Sequence, residues 1–127
     1  MPLLLAFALL SGAAPQADGA FAARTTRAKL LEAGAAGTAY QQALWGRIGN
    51  PATDAYRGCI ASNTPTRQTA FTLVADIDAH GKPGRIEVMP ATPVATCMAG
   101  QFASWTLPPP PATPAPYPIE IDFSVKR

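Results

Sequence analysis

Three short segments with alternating side chains constrain this chain more than any other feature. In Phe71 to Ile77, Phe71, Leu73, Ala75 and Ile77 fall on one face and Thr72, Val74 and Asp76 on the other. In Arg85 to Met89, Ile86 and Val88 alternate with Arg85, Glu87 and Met89. In Ile119 to Val125, Ile119, Ile121, Phe123 and Val125 face inward against Glu120, Asp122 and Ser124. A period of two describes half-buried strands, and each such strand needs an apolar cover. The first two are joined by Asp78-Ala-His-Gly-Lys-Pro-Gly84, a run of turn residues that predicts a hairpin.

The period changes after the hairpin. Val94, Met98, Phe102 and Trp105 recur at helical spacing over Thr92 to Trp105, and Pro108-Pro-Pro-Pro111 stops the helix. The proline-dense stretch Pro108 to Pro118 reads as an extended, polyproline-like crossover into the last strand. Upstream, Asp18 to Ile48 is helical in pattern, with Asp18 placed to cap it and Phe21, Ala28, Leu31 and Ala35 on one stripe. Gly34-Ala-Ala-Gly37 divides it, leaving a second helix from Thr38 with Tyr40, Leu44, Trp45 and Ile48 on its packing face. Gly49-Asn50-Pro51 is expected to end that helix. Asp54 to Ser62 alternates weakly and is consistent with a brief strand carrying Cys59. The expected fold class is α+β: a small antiparallel sheet of about three strands packed against helices on one face, with an N-terminal helical extension.

At 127 residues this is one domain with that extension. We divide it into 1–14, 15–50 and 51–127. Only 14% of residues are charged, the net charge is +2, and the Lys and Arg residues are scattered, which argues against a nucleic-acid partner. Met1-Pro-Leu-Leu-Leu-Ala-Phe-Ala-Leu-Leu10 followed by Ser11-Gly-Ala-Ala14 has the apolar core and small-residue exit of a secretory signal peptide. The run is shorter than the roughly 20 apolar residues that span a bilayer, so no stable membrane span is expected. The mature chain is expected to be soluble and exported.

Two cysteines, Cys59 and Cys97, suit an oxidising compartment and are expected to form one disulfide. Structural zinc wants four ligands, and this chain offers two cysteines and one distant histidine. Asp76-x-Asp78-x-His80-Gly81 with Glu87 approaches a calcium-loop pattern, but His80 replaces an oxygen ligand and the flanks are β-patterned rather than helical. No metal or cofactor is expected. His80 is the sole histidine, has no nucleophile at readable spacing, and no Gly-x-Ser-x-Gly elbow is present. Asp76, Asp78, Glu87, Glu120 and Asp122 read as outward, solubilising carboxylates.

The stretch Phe71-Thr-Leu-Val-Ala-Asp-Ile-Asp-Ala-His-Gly-Lys82 resembles the first hairpin of TonB C-terminal domains, with its Asp-x-x-Gly-Lys/Arg turn. Ile86-Glu-Val-Met-Pro90 resembles the returning strand, and Cys97 through Trp105-Thr-Leu-Pro-Pro-Pro-Pro111 resembles the helix and its Trp-to-Pro exit, with Leu107 in the Phe position. Ile119-Glu-Ile-Asp-Phe123 resembles the closing strand; a subset of such domains also carries a Cys pair placed like Cys59 and Cys97. The resemblance covers roughly Tyr56 to Val125 and implies a periplasmic domain that adds a partner segment to a sheet edge.

Transducers of that family keep a membrane anchor and a long Pro-rich spacer. Here a short apolar run and helical residues stand in those places, so a stand-alone, non-enzymatic binding or structural module is expected. Its partner would be a protein or peptide of the cell envelope, such as an outer-membrane receptor, and the candidate edge is Ile119, Ile121, Phe123 and Val125. Two alternatives stand beside it: a small secreted hydrolase using His80 or a carboxylate pair, and an energy transducer whose anchor is hidden by a misplaced start codon.

Overall fold

A computed structural model of the chain describes residues 17–63 and 70–124. The elements in order are α1 (Ala17–Glu32), α2 (Ala35–Ser62), β1 (Phe71–Ile77), β2 (Pro83–Met89), α3 (Pro93–Ala103) and β3 (Tyr117–Phe123). The strands form one antiparallel sheet in the order β2-β1-β3. This is the expected α+β class. The expected leader, Asp18 as a cap and Val125 as a strand residue fall where side chains lie outside the described residues.

Alternation makes the main core. Phe71, Leu73, Ala75 and Ile77 of β1 join Tyr117, Ile119, Ile121 and Phe123 of β3, all buried against Tyr40, Leu44 and Ile48 of α2 and Val94, Met98 and Phe102 of α3. Thr92 caps α3, its side-chain oxygen accepting from the Ala95 N–H at 3.1 Å, and Pro93 follows at the first helical position, where its missing N–H costs nothing. The Phe71 and Phe123 rings stack at 4.8 Å across the β1–β3 pair, and Tyr56 of α2 tilts against both.

Two expectations are corrected here. First, α2 does not end at Gly49-Asn50-Pro51. It runs through Pro51 to Ser62, and Asp54 to Ser62 is helix rather than strand. An interior proline costs about 3 kcal/mol because it removes one N–H and crowds the preceding turn. Against that, Ala52 and Cys59 are buried and Ala55, Tyr56 and Ile60 pack on the core, apolar surface that would return to water if the helix stopped at the proline. The stripe Leu44, Ile48, Ala52, Tyr56, Cys59 keeps helical spacing across the proline. The boundary placed between residues 50 and 51 therefore falls inside one helix.

Second, the sheet is covered on both faces. The ion pairs of α1 go to side chains on the face opposite the main core: Arg24 meets Asp76 and Glu87, and Lys29 meets Glu120 and Asp122. Phe21 and Ala28 of α1 and Val74 of β1 are buried on this side. So α1 is the second outer layer, not an extension. It turns sharply into α2 at Ala33-Gly34, and Gly37 lies so close that a Cβ there would stand 1.8 Å from the Leu31 carbonyl oxygen.

The exit from α3 is anchored as firmly. Leu107 is buried, its N–H donates to the Gly81 carbonyl at 2.8 Å, and the Tyr40 hydroxyl donates to the Pro108 carbonyl at 2.8 Å. Those bonds fix the proline crossover that delivers β3 to the far side of β1.

Candidate functional site: the outer edge of β3

With β1 in the centre, β2 and β3 are both terminal strands. They differ in what they offer a partner. β2 begins Pro83-Gly84, its register with β1 breaks between Val74 and Asp76, and Arg85 has a φ of 47°, in the left-handed region that side chains with a Cβ disfavour. Such an edge is twisted and blunted. β3 pairs with β1 without a break over seven residues, from Phe71–Phe123 to Ile77–Tyr117. Its one proline, Pro118, has no N–H to give, and a strand tolerates this where the nitrogen points away from the neighbouring strand. By alternation the N–H groups of Glu120 and Asp122 then point away from β1, where Pro118 and Glu120 are buried and Asp122 is exposed.

The side chains that would flank an added strand come from α1 and α2. On one face a surface cleft of about 230 Å³ is lined by Trp45, Ala52, Tyr56, Asp122, Phe123 and Ser124. Trp45 is 42% exposed, not part of the core face expected of it, and its indole N–H donates to Gln41 at 3.1 Å. On the other face lies a charge cluster. Lys29 donates to Glu120 and to Asp122, each at 3.1 Å, and the Thr72 hydroxyl donates to Asp122 at 2.6 Å.

Glu120, expected to be solubilising, is instead 6% exposed, because α1 covers it. Glu32 stands beside it, with its Oε2 buried and without a hydrogen-bond partner. Burial, then the neighbouring Glu120 carboxylate, push Glu32 up to about 7, where the protonated acid can donate to Glu120. Burial opposes ionisation of Asp122, but hydrogen bonds from Thr72 and Lys29 outweigh it and hold that carboxyl below its usual value. Lys29 is raised by its bonds to Glu120 and Asp122.

The structure thus brings Ile119, Ile121 and Phe123 together as core residues of the strand, so their side chains hold β3 in place. Cys59 and Cys97 are joined by a disulfide with a Cα–Cα distance of 5.7 Å, tying the C-terminal half of α2 to α3. His80 is exposed in the hairpin turn. The Asp78 carboxylate accepts from the backbone N–H groups of Lys82 and His80, both at 2.9 Å, and these bonds lower its pKa. Asp76 turns away from that loop to Arg85 and Arg24. No described helix is long and apolar enough to cross a membrane.

The sequence pattern does not mark Trp45, Tyr56, Lys29 and Glu32 as surroundings of β3, because the stripe of α1 names no partner and Gly49-Asn50-Pro51 predicts an early end to α2. The unbroken spacing past Pro51 was the available signal. Fold and site together define a disulfide-bonded α+β domain, covered on both sheet faces, with one regular terminal strand. No family model, curated protein or solved structure matches the chain.

Proposed function

We propose that this chain is an exported, non-enzymatic binding module, TonB C-terminal-like in its use of a sheet edge, which takes up an extended segment of a cell-envelope protein along β3. The observation that carries the reading is the unbroken seven-residue register of a terminal strand, beside a bulged and strained β2. Main-chain hydrogen bonds would supply affinity, and side chains alternating along the added strand would supply selectivity. The cleft at Trp45, Tyr56 and Phe123 suits an aromatic or branched aliphatic residue of that segment. A disulfide joining α2 to α3 accords with an oxidising compartment such as the periplasm.

The test compares Asp122→Pro with Asp122→Ala. Both lose the carboxylate bonded to Thr72 and Lys29, but only the proline variant loses the outward N–H. An envelope protein captured by wild type and by Asp122→Ala, and lost with Asp122→Pro, supports strand addition. Amide exchange at Glu120 and Asp122 should slow in the captured complex. Retention by Asp122→Pro, or protection confined to another surface, refutes it.

A further inference from the structure

The basic residues cluster away from the β3 cleft, where α1 crosses the hairpin end of the sheet. Arg24 and Arg27 of α1 and Arg85 of β2 line one cavity of about 140 Å³, together with Asp76, Ala115, Pro116 and Pro118. The ion pairs there are unbalanced. Arg24 bonds Glu87 and Arg85 bonds Asp76 at 2.9 Å, while Arg27, on the exposed side of α1, has neither carboxylate as a partner. Three guanidinium groups against two carboxylates leave one positive charge facing the cavity. Arg24 Nη2 lies 3.4 Å from Asp76 yet is buried with no hydrogen bond to any protein acceptor.

The backbone has also been bent to put Arg85 there. Arg85 is the one non-glycine residue with positive φ among the described residues, and it stands at the register break between Val74 and Asp76. A bulge re-aims a side chain, and a strained residue persists where the surroundings hold it in place. Here the result is that Arg85 reaches across the sheet face to the acid that also meets Arg24.

From these features we infer that the cavity between α1 and the β1–β2 hairpin end is a binding site for a small monoanionic carboxylate with a compact apolar body. Guanidinium donors match a carboxylate's two oxygens in a planar fork. A single unbalanced positive charge suits a monoanion better than a phosphate dianion. The wall contributes Pro116 and Pro118, which carry no N–H, so the ligand's body meets apolar surface there. The volume equals that of four or five waters at about 30 Å³ each, room for an amino-acid-sized acid. This inference does not depend on strand addition at β3.

The test uses the full mature chain at low salt, where exposed charge pairs are least screened. N-acetylalanine is titrated while the arginine side-chain N–H signals are followed by NMR, with its carboxamide and inorganic phosphate in parallel. The expected result is saturable shifts of the Arg27 and Arg85 signals with the acid and none with the amide. The double variant Arg27→Gln/Arg85→Gly should bind the acid at least roughly tenfold more weakly. Its melting temperature should stay near that of wild type, since Gly accepts the backbone angle at position 85. Equal binding of the amide, no saturation at tens of millimolar, or unchanged affinity in the folded variant overturns the site. Tighter binding of phosphate overturns the carboxylate assignment.

Discussion

Replacing Gly81 by alanine tests how the hairpin, the proline crossover and β3 are joined. Gly81 is buried with φ +84°, and a Cβ there would stand 1.9 Å from the Leu107 carbonyl oxygen. Three effects combine. The left-handed backbone costs a residue with a Cβ roughly 1–2 kcal/mol. Leu107 must withdraw, which breaks its N–H bond to the Gly81 carbonyl, worth about 1 kcal/mol net. Withdrawal also exposes part of a Leu107 side chain that is only 1% accessible, and full burial of such a side chain is worth about 1.5–3 kcal/mol. Allowing for partial relaxation, Gly81→Ala should lose about 3–5 kcal/mol, a large part of the roughly 5–15 kcal/mol available to a domain. Urea unfolding with an unchanged slope would read this directly. Gly46→Ala is the matched control: it lies in α2 with nothing within 4 Å of the added Cβ and should gain about 0.5–1 kcal/mol. A Gly81→Ala loss below about 1 kcal/mol, with Leu107 amide exchange unchanged, would refute the reasoning.

Other outcomes follow from the same structure. Removing the Cys59–Cys97 bond, by reduction or by paired serines, should cost roughly 4 kcal/mol for a separation of 38 residues, measured by denaturant unfolding with and without reductant. Folding raises the pKa of Glu32 from 4.5 to about 7, so the folded state binds its proton more tightly than the unfolded state does. Its contribution to stability is therefore greatest below pH 4.5 and is lost as pH rises through about 7, with a slope of at most about 1.4 kcal/mol per pH unit from this group. Glu32→Gln should flatten that part of the stability profile and be the more stable protein at pH 8, read by urea melts across pH; a profile unchanged by the substitution contradicts the burial of that carboxyl. Trp45→Ala, at an exposed position, should leave the melting temperature within a few degrees yet weaken any segment bound along β3, which anisotropy of the recovered partner segment would show.

The chain's own pattern determined the parts that local physics controls. Period-two alternation placed the three strands, and helical spacing after Thr92 placed α3, because neighbours along the sequence decide which side chains share a face. The turn at Asp78 to Gly84 and the break at Gly34 were legible for the same reason. What tertiary structure decided is what competes with those signals. Pro51 is a helix breaker by propensity, yet α2 continues through it because Ala52 and Cys59 find a core to enter. Glu120 alternates as a surface residue, yet it is buried because α1, whose stripe names no partner, lies over the even-numbered face beside it. Strand order could not be read either, since alternation states which face of a strand is apolar and nothing about its neighbour. The long crossover through Pro108 carries β3 to the far side of β1, and that placement makes β3 a terminal strand and gathers Arg24, Arg27 and Arg85 against Pro118. Residues distant in sequence meet only when burial of the whole domain outweighs the chain entropy of bringing them together, and no window of sequence contains that balance.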